Sequence, residues 1–208
     1  MRYLNKIVFI NSAAIRYSEV QLDGNIHLIG TQGVGKSTIL RAILFFYNAD
    51  TQRLGIPVEK KSYQDYYFPY ADSSIIYEVA REDGWFTVLS YKTMNRICYR
   101  FIASPYRPDL FIDEEGAPYP SDRIRSVLDK NGIKYSGAIS TYEEYRNILY
   151  GNSDNKRDYS CYSLMESGSY QNIIRTIQNV LLNSRLEADY IKPVSYTHLR
   201  AHETLRHL

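Results

Sequence analysis

Residues 30–38 of the chain read GTQGVGKST. The first eight match the pattern G-x-x-x-x-G-K-[ST], in which a glycine-rich loop surrounds phosphate groups with backbone N–H donors. The apolar segment 25–29 before the loop predicts a strand, and the apolar run 39–47 after it predicts a helix that begins at Lys36 and is buried on most sides. A tight turn from a strand into a helix N-terminus favours a bound anion. The sequence therefore predicts a phosphate-binding loop.

The residue types in this loop fit distinct tasks in holding a nucleotide. Gly33 and Gly35 let successive backbone N–H groups point inward and form a concave site for phosphate oxygens. Lys36 supplies a positive charge for the β- and γ-phosphates, the Ser37 hydroxyl can coordinate Mg²⁺, and Thr38 can add a hydrogen bond to phosphate. The alternative is a glycine-rich turn that only caps a helix. The predicted nucleotide-binding residues are Gly30, Thr31, Gln32, Gly33, Val34, Gly35, Lys36, Ser37 and Thr38.

Strand and helix patterns continue outside the loop. Short apolar or alternating segments between turn residues predict strands, and apolar residues at helical spacing behind a capping residue predict helices. The clearest signal is an antiparallel meander over 74–81, 85–92 and 96–103. The other predicted strands are 7–10, 14–20, 110–113 and 159–165. The predicted helices run from Ser121 as N-cap to Asn131 and Gly132, from a capping box of Thr141 and Glu144 to Gly151, and over 173–191, while 51–72 is irregular and 152–158 is a linker.

The composition is that of an ordinary globular protein. Of 208 residues, 44% are hydrophobic and 23% charged, which excludes disordered and collagen-like classes. No apolar run approaches the roughly 20 residues that span a bilayer, and no signal peptide is recognised, so a cytoplasmic protein is expected. The net charge of +2 is too even to predict nucleic-acid or membrane binding by itself. Cys98 and Cys161 are predicted to be core thiols, and the 21 tyrosines to be half-buried strand and helix residues.

The last sixteen residues are expected to have a different origin from the rest. Residues 193–204 resemble one reading frame of a transposon-end sequencing adapter, so 193–208 is expected to be a non-native tail and the native sequence to end near Lys192. Without this tail, which holds two arginines and one glutamate, the net charge falls from +2 to +1. Three of the four histidines lie in the tail and are not interpreted as a metal site. The fourth, His27, is predicted to pack inside the strand before the loop.

The order of elements after the loop resembles one class of phosphate-loop protein. Small GTPases and nucleotide kinases continue with alternating strands and helices, whereas here the helix is followed by an antiparallel meander. This order, with segments 4–7 and 25–37, resembles the amino-terminal lobe of the ATP-binding-cassette-type head of SMC-like ATPases, which organise chromosomes or repair DNA breaks. Segment 175–184 is similar to the end of that lobe, where the chain enters a coiled coil. Gln32 is a departure, because such heads more often carry Asn or Ser there. The resemblance implies an α/β P-loop NTPase fold and an incomplete head lobe over 1–192.

The same resemblance implies a function and further site residues. It implies ATP and Mg²⁺ as cofactors, DNA and a second head of a homodimer as partners, no membrane, and a bacterial cytoplasmic location associated with the nucleoid. A glutamine after the last strand of the lobe would contact Mg²⁺ and the attacking water; Gln171 is the candidate and Gln178 a weaker rival, with a solvated surface amide as the alternative for Gln171. Arg53 matches an arginine near the phosphates or DNA. Two interpretations exist for the group Lys60, Lys61, Tyr63, Tyr66 and Tyr67. The group could form a small DNA-facing patch, but a solvated loop is favoured.

Hydrolysis in such ATPases uses residues that this sequence does not display. The resemblance places the Walker B aspartate, its adjacent glutamate and the signature motif in a carboxy-terminal lobe and a second head. The acids Asp113, Glu114 and Glu115 are interpreted instead as a solvent-exposed turn after a short strand. The chain alone is therefore expected to bind nucleotide without turning it over, and to have an open sheet edge where the other lobe contributes strands.

Two other classes of function stay open from the sequence. One is a stand-alone P-loop kinase or NTPase complete within 1–192, although only the weak segment 111–113 is an apolar strand that ends in Asp. The other is a non-catalytic interaction module that keeps a nucleotide for its structure.

Sequencing the source DNA across codon 192 tests the origin of the tail. We expect a reading frame that continues into heptad repeats and returns to a lobe with a signature motif and a strand ending in Asp-Glu. A source that encodes 193–208 and then stops would contradict the adapter interpretation and favour a small P-loop protein.

Overall fold

A computed structural model describes residues 2–24, 26–29, 31, 33–48, 50–51, 54, 56, 61–94, 96–151 and 159–164. The chain divides into two compact units, 1–170 and 171–208, and all described residues belong to the first. Several sequence predictions lie outside the described residues. They are the linker 152–158, the helix 173–191, the tail 193–208, and the residues Gly30, Gln32, Arg53, Lys60, Gln171 and Gln178.

A five-stranded sheet forms the middle layer of the described fold. Its strand order is β2-β1-β3-β4-β5, and every neighbouring pair is antiparallel. The chain is thus a mixed α/β protein, as predicted, and the strands predicted at 7–10 and 14–20 and the meander are confirmed. The strands are β1 Tyr3–Ser12, β2 Ile15–Gln21, β3 Ser74–Arg81, β4 Gly84–Thr93 and β5 Arg96–Ile102.

Each of the three hairpins in the sheet has a two-residue turn. The last paired residues are Ser12 with Ile15, Arg81 with Gly84, and Thr93 with Arg96. Two-residue turns usually contain a residue with positive φ, because the twist of the turn must match that of the strands. In the hairpin between Arg81 and Gly84 the positive φ falls on Gly84, at 146°. Ala13 has φ 54° and Met94 has φ 50°. The turns therefore fix the register of the sheet.

In the described part of the chain, four α-helices surround the sheet. They are α1 Lys36–Asn48, α2 Tyr63–Tyr67, α3 Ser121–Lys130 and α4 Tyr142–Leu149. Helix α1 begins and ends where the sequence predicts, and the Thr141 hydroxyl accepts the Glu144 N–H at the start of α4, as its capping spacing predicts. Ser121 is the first residue of α3 and not its N-cap, which is Pro120. Helix α2 lies inside 51–72, so the prediction of a wholly irregular segment is wrong there.

One face of the sheet is covered by α1 and α4 through aromatic side chains. Phe45 of α1 packs on Tyr99 with ring centroids 5.8 Å apart, and Phe46 packs on Tyr77 at 5.0 Å. Tyr145 of α4 packs on Tyr99 at 4.4 Å. These rings are buried, and aromatic side chains supply the largest buried areas in protein cores. Helix α1, which follows the phosphate loop, therefore packs on strands β3 and β5.

The opposite face of the sheet is covered by α3 and the segment before it. Ile124 and Leu128 of α3 pack with Leu110 and Phe111 against the strand residues Val8, Ile10, Ile76, Leu89, Tyr91, Cys98 and Ile102. Both faces of β1, β3, β4 and β5 are therefore buried. Along these strands most successive residues are buried, instead of alternating between buried and exposed. The fold has three layers, with helices on each side of an antiparallel sheet.

Four buried tyrosines hold α1 through hydrogen bonds to its carbonyl oxygens. Tyr67 of α2 donates to Thr38, Tyr77 of β3 to Ala42, Tyr145 of α4 to Phe46, and Tyr150 to Tyr47, at 2.8, 3.0, 2.6 and 2.6 Å. The carbonyls of Phe46 and Tyr47 lie in the last turn of α1, where no intrahelical donor reaches them. These tyrosines are core residues, whereas the composition had predicted half-buried ones.

The predicted strand before the phosphate loop is absent from the described residues. Residues 26–29 have no strand pairing, Ile29 is 91% exposed and His27 is exposed, so the prediction that His27 packs in a strand is wrong. A strand needs a neighbour for its backbone hydrogen bonds. Both sides of β1 are taken, by β2 and β3, so the centre of this sheet has no place for another strand.

Two other strand predictions are wrong for a related reason. Residues Pro108–Leu110 and Ser160–Tyr162 form 3₁₀ helices, and Ile112 makes only a single bridge to Pro118. The outer edge of β5 is partly taken by bridges from 135 and 139. Leu110 and Phe111 bury their side chains in a turn under the sheet instead of pairing. Cys98 is buried as predicted, but Cys161 is exposed.

No helix within the described ranges is both long enough and apolar enough to cross a membrane.

The hydroxyl of Tyr145 should contribute measurably to stability. Tyr145→Phe removes its bond to the Phe46 carbonyl and leaves that buried oxygen without this donor, so we expect a loss of about 1 kcal/mol in the free energy of unfolding. Urea denaturation measures the change. Tyr142→Phe is the matched control, because Tyr142 lies on the same helix and is 44% exposed. Equal stabilities for the two variants would contradict the structural role of the Tyr145 hydroxyl.

Candidate functional site

The loop that carries the phosphate-binding pattern has an alternating backbone conformation. Gly33 and Gly35 have φ angles of 90° and 92°, and Val34 between them has a negative φ. Helix α1 begins directly afterwards, and the N–H groups of Thr38 and Ile39 both donate to the Gly35 carbonyl, at 3.0 and 3.1 Å. Alternation of left- and right-handed residues turns successive N–H groups toward one side, which is the geometry of an anion-binding concavity.

Glycine is required in this loop by backbone conformation and not by crowding. A Cβ atom built on Gly33 or Gly35 would meet no other atom within 4 Å. A φ near 90° is nevertheless disfavoured for any residue with a side chain. The two glycines therefore allow the loop to hold its shape while its surface stays open to a ligand.

Lys36 reaches back across the loop. Its Nζ atom donates to the Thr31 carbonyl oxygen at 2.7 Å, so the ammonium group lies over the first limb of the loop. This position places a cation next to the positive end of α1. Ser37 is exposed, which leaves its hydroxyl accessible at the helix start. Lys36 and Ser37 therefore both lie at the start of α1, next to the loop.

Helix α2 fixes the first turn of α1 from the side. The buried hydroxyl of Tyr67 donates to the Thr38 carbonyl at 2.8 Å, and the Tyr66 hydroxyl lies 3.5 Å from Thr38 Oγ1. Burial raises the pKa of Tyr67, so its phenol stays neutral and remains a donor across the physiological range. The ring of Tyr67 also stacks on Tyr63 at 4.1 Å. Thr38 is therefore held in place on two atoms.

A cleft of about 420 Å³ opens beside Thr38 between α1 and α2. We call it the α1–α2 cleft. It combines two cationic side chains with aromatic and aliphatic ones, and it is lined by Arg41, Ile56, Lys61, Tyr66 and Tyr67. Tyr66 is 39% exposed, so part of its ring is available to a ligand.

Sequence reasoning missed this cleft, although one signal was available. Arg41 is the only charged residue of α1 after Lys36, in a helix that is otherwise almost entirely apolar. It lies three residues after Thr38 and hence on the same side of the helix. A single cation on the loop-proximal side of a buried helix could have indicated a second polar surface next to the loop.

For Tyr63 and Tyr67 the structure fits neither the DNA-facing patch nor the solvated loop that the sequence favoured. Tyr63 and Tyr67 are 2% and 1% exposed and belong to the core, so the interpretation of these two rings as DNA-facing is wrong. Tyr63 stacks on Phe45 of α1, with ring centroids 4.4 Å apart, and Tyr67 stacks on Tyr63. Tyr66 and Lys61 remain at the surface.

The acidic residues after β5 behave as the sequence predicts. Asp113 Oδ1 accepts the N–H groups of Glu115 and Ala117, at 3.0 and 2.7 Å, and so closes a turn. Glu114 and Glu115 are exposed. In the part of the chain that the structure describes, no three His, Cys, Asp or Glu side chains are grouped so that they could hold a metal ion.

The chain belongs to a protein family that carries no assigned function. The family model described as "Protein of unknown function (DUF3584)" matches residues 12–183, which include the phosphate loop, α1 and the meander. A search of curated proteins finds no match.

Alanine at Gly35 should strain the start of α1. Because Gly35 has a φ of 92°, we expect Gly35→Ala to lower the free energy of unfolding by about 1 kcal/mol. Thermal or urea denaturation measures this. Gly137→Ala is the control, because Gly137 is exposed and does not have a positive φ. An unchanged stability for Gly35→Ala would indicate that the loop does not hold the described conformation in solution.

Proposed function

We propose that this chain is the ATP- and Mg²⁺-binding amino-terminal lobe of an SMC-like ATPase head that acts on DNA. The observation that supports nucleotide binding most directly is the loop itself. It combines positive φ angles at Gly33 and Gly35, the start of α1 at Lys36, and a Lys36 ammonium that lies back over Thr31. Few functions other than phosphate binding need these three features together.

In this proposal each loop residue has one task. Backbone N–H groups of the loop surround the phosphate oxygens, and the positive end of α1 favours their negative charge. The Lys36 ammonium exchanges its bond to the Thr31 carbonyl for the β- and γ-phosphates. The Ser37 hydroxyl would supply one of the oxygen ligands that Mg²⁺ prefers. Thr38 Oγ1 can add a hydrogen bond at the helix start.

The surrounding fold supports a head lobe more than a stand-alone enzyme. The described sheet is antiparallel throughout, whereas in stand-alone P-loop kinases the strand before the loop belongs to a parallel sheet. Here residues 26–29 run into the loop without a strand partner, and Ile29 is 91% exposed. A segment of this kind fits a lobe that receives strands from another part of the protein.

The catalytic step in this proposal depends on groups beyond the described site. We assign the contact with Mg²⁺ and the attacking water to Gln171, and we assign the general base and the signature motif to a carboxy-terminal lobe and a second head. DNA binding and a homodimer of heads are parts of the same proposal. The 208-residue chain alone should accordingly bind Mg-ATP with little or no turnover.

Calorimetric titration of the chain with Mg-ATP tests the nucleotide site. Lys36→Ala removes the charge over the loop, and we expect at least a tenfold loss of affinity, since hydrogen bonds to charged groups contribute roughly 1.5–3 kcal/mol. Lys134→Ala is the matched control, because Lys134 is an exposed lysine in the segment after α3. Wild-type affinity for both variants would sink the proposal. Rapid turnover by the chain alone would favour the stand-alone enzyme.

A further inference from the structure

The α1–α2 cleft meets the phosphate loop at a single residue. Thr38 directly follows the loop pattern, and two tyrosines of the cleft wall contact it: the Tyr67 hydroxyl donates to its carbonyl oxygen at 2.8 Å, and the Tyr66 hydroxyl lies 3.5 Å from its Oγ1. Lys36 Nζ, which in the proposed function contacts the terminal phosphates, donates to the Thr31 carbonyl near the beginning of the loop. A nucleotide that places its terminal phosphates near Lys36 must direct its nucleoside away from that end of the loop.

The size of the cleft limits what it can hold. About 420 Å³ is within the usual range for sites that enclose a small molecule, roughly 300–1,000 Å³. A site of this size suits a small ligand such as a nucleoside, whereas the backbone of a DNA duplex would need a long surface of positive charge.

The side chains of the cleft are those that recognise a nucleoside. Tyr66 presents a partly exposed ring on which a base can stack, and Ile56 adds an apolar surface. Arg41 and Lys61 are donors for base-edge and ribose oxygens, and either can lie over a stacked base. Tyr67 closes the cleft toward the core.

We propose that the α1–α2 cleft binds the nucleoside part of the nucleotide whose phosphates occupy the loop, with its base stacked on Tyr66. This inference rests on the proposed function and adds to it a base-binding surface. It makes Tyr66 and Arg41 binding residues, although neither belongs to the phosphate-loop pattern.

Two ligands that differ by the nucleoside separate the cleft from the loop. The chain is titrated with Mg-ATP and with magnesium tripolyphosphate, which carries the phosphates alone. We expect wild type to bind Mg-ATP at least tenfold more tightly than tripolyphosphate. We expect Tyr66→Ala to weaken Mg-ATP about tenfold, as loss of one stacked base does, and to leave tripolyphosphate unchanged. Tyr66→Phe keeps the ring and should bind both ligands like wild type.

A control variant and a replacement variant complete the test. Tyr70→Ala removes an exposed tyrosine that does not line the cleft, and it should bind both ligands like wild type. Should Tyr66→Ala fail to fold, the wild-type preference for Mg-ATP over tripolyphosphate decides the matter, with Arg41→Gln as the second cleft variant.

The outcomes distinguish this inference from the proposed function. Equal binding of the two ligands by wild type, or normal Mg-ATP binding by Tyr66→Ala while Lys36→Ala loses it, would overturn the cleft proposal and leave the loop proposal standing. Normal binding of both ligands by Lys36→Ala would overturn the loop proposal itself. If Arg41→Gln weakened binding of a DNA duplex and left Mg-ATP unchanged, the cleft would be a DNA contact and not a nucleoside site.

Discussion

The position of α1 is fixed by the hydroxyl groups of four buried tyrosines. Their acceptors are the carbonyls of Thr38, Ala42, Phe46 and Tyr47, so they contact the helix from its first turn to its last. Each such bond contributes about 1 kcal/mol, and each would leave a buried polar oxygen without this donor if it were lost. The tyrosines come from α2, β3, α4 and the residue after α4, so three separate parts of the fold fix the position of α1. The phosphate loop inherits its position from that helix.

This attachment explains how an open loop can keep a definite shape. The loop has little packing of its own, since Val34 is 58% exposed and no atom lies near the Cβ position of either glycine. Its shape comes from two positive φ angles and from its attachment to α1, which four tyrosine hydrogen bonds hold in place. A site that is arranged before its ligand arrives loses less entropy on binding. The same helix carries Arg41, so the α1–α2 cleft and the loop are held at a fixed separation.

The sheet sets the limits of the fold around this helix. Strands β1, β3, β4 and β5 are buried on both faces, and β1 has a neighbour on each side, so the centre of the sheet admits no further strand. The segment 26–29 pairs with no strand. The apolar residues of that segment, which predict a strand, are exposed instead. Exposed apolar strands are unfavourable in isolation and are used for pairing with another chain or segment. This is the property that the proposed head lobe requires.

Local signals in the sequence determined the elements whose stability is local. The start of α1 at Lys36, the Thr141 cap and the antiparallel meander each depend on neighbours that are close in sequence, and these predictions are confirmed. Only the tertiary structure decided between strand and turn for 26–29, 110–113 and 159–164, because a strand exists only where an unpaired neighbour is available. It likewise decided that Tyr63 and Tyr67 pack in the core while Tyr66 between them faces a cleft. Residue type cannot distinguish these cases, since burial depends on what the fold places opposite each ring.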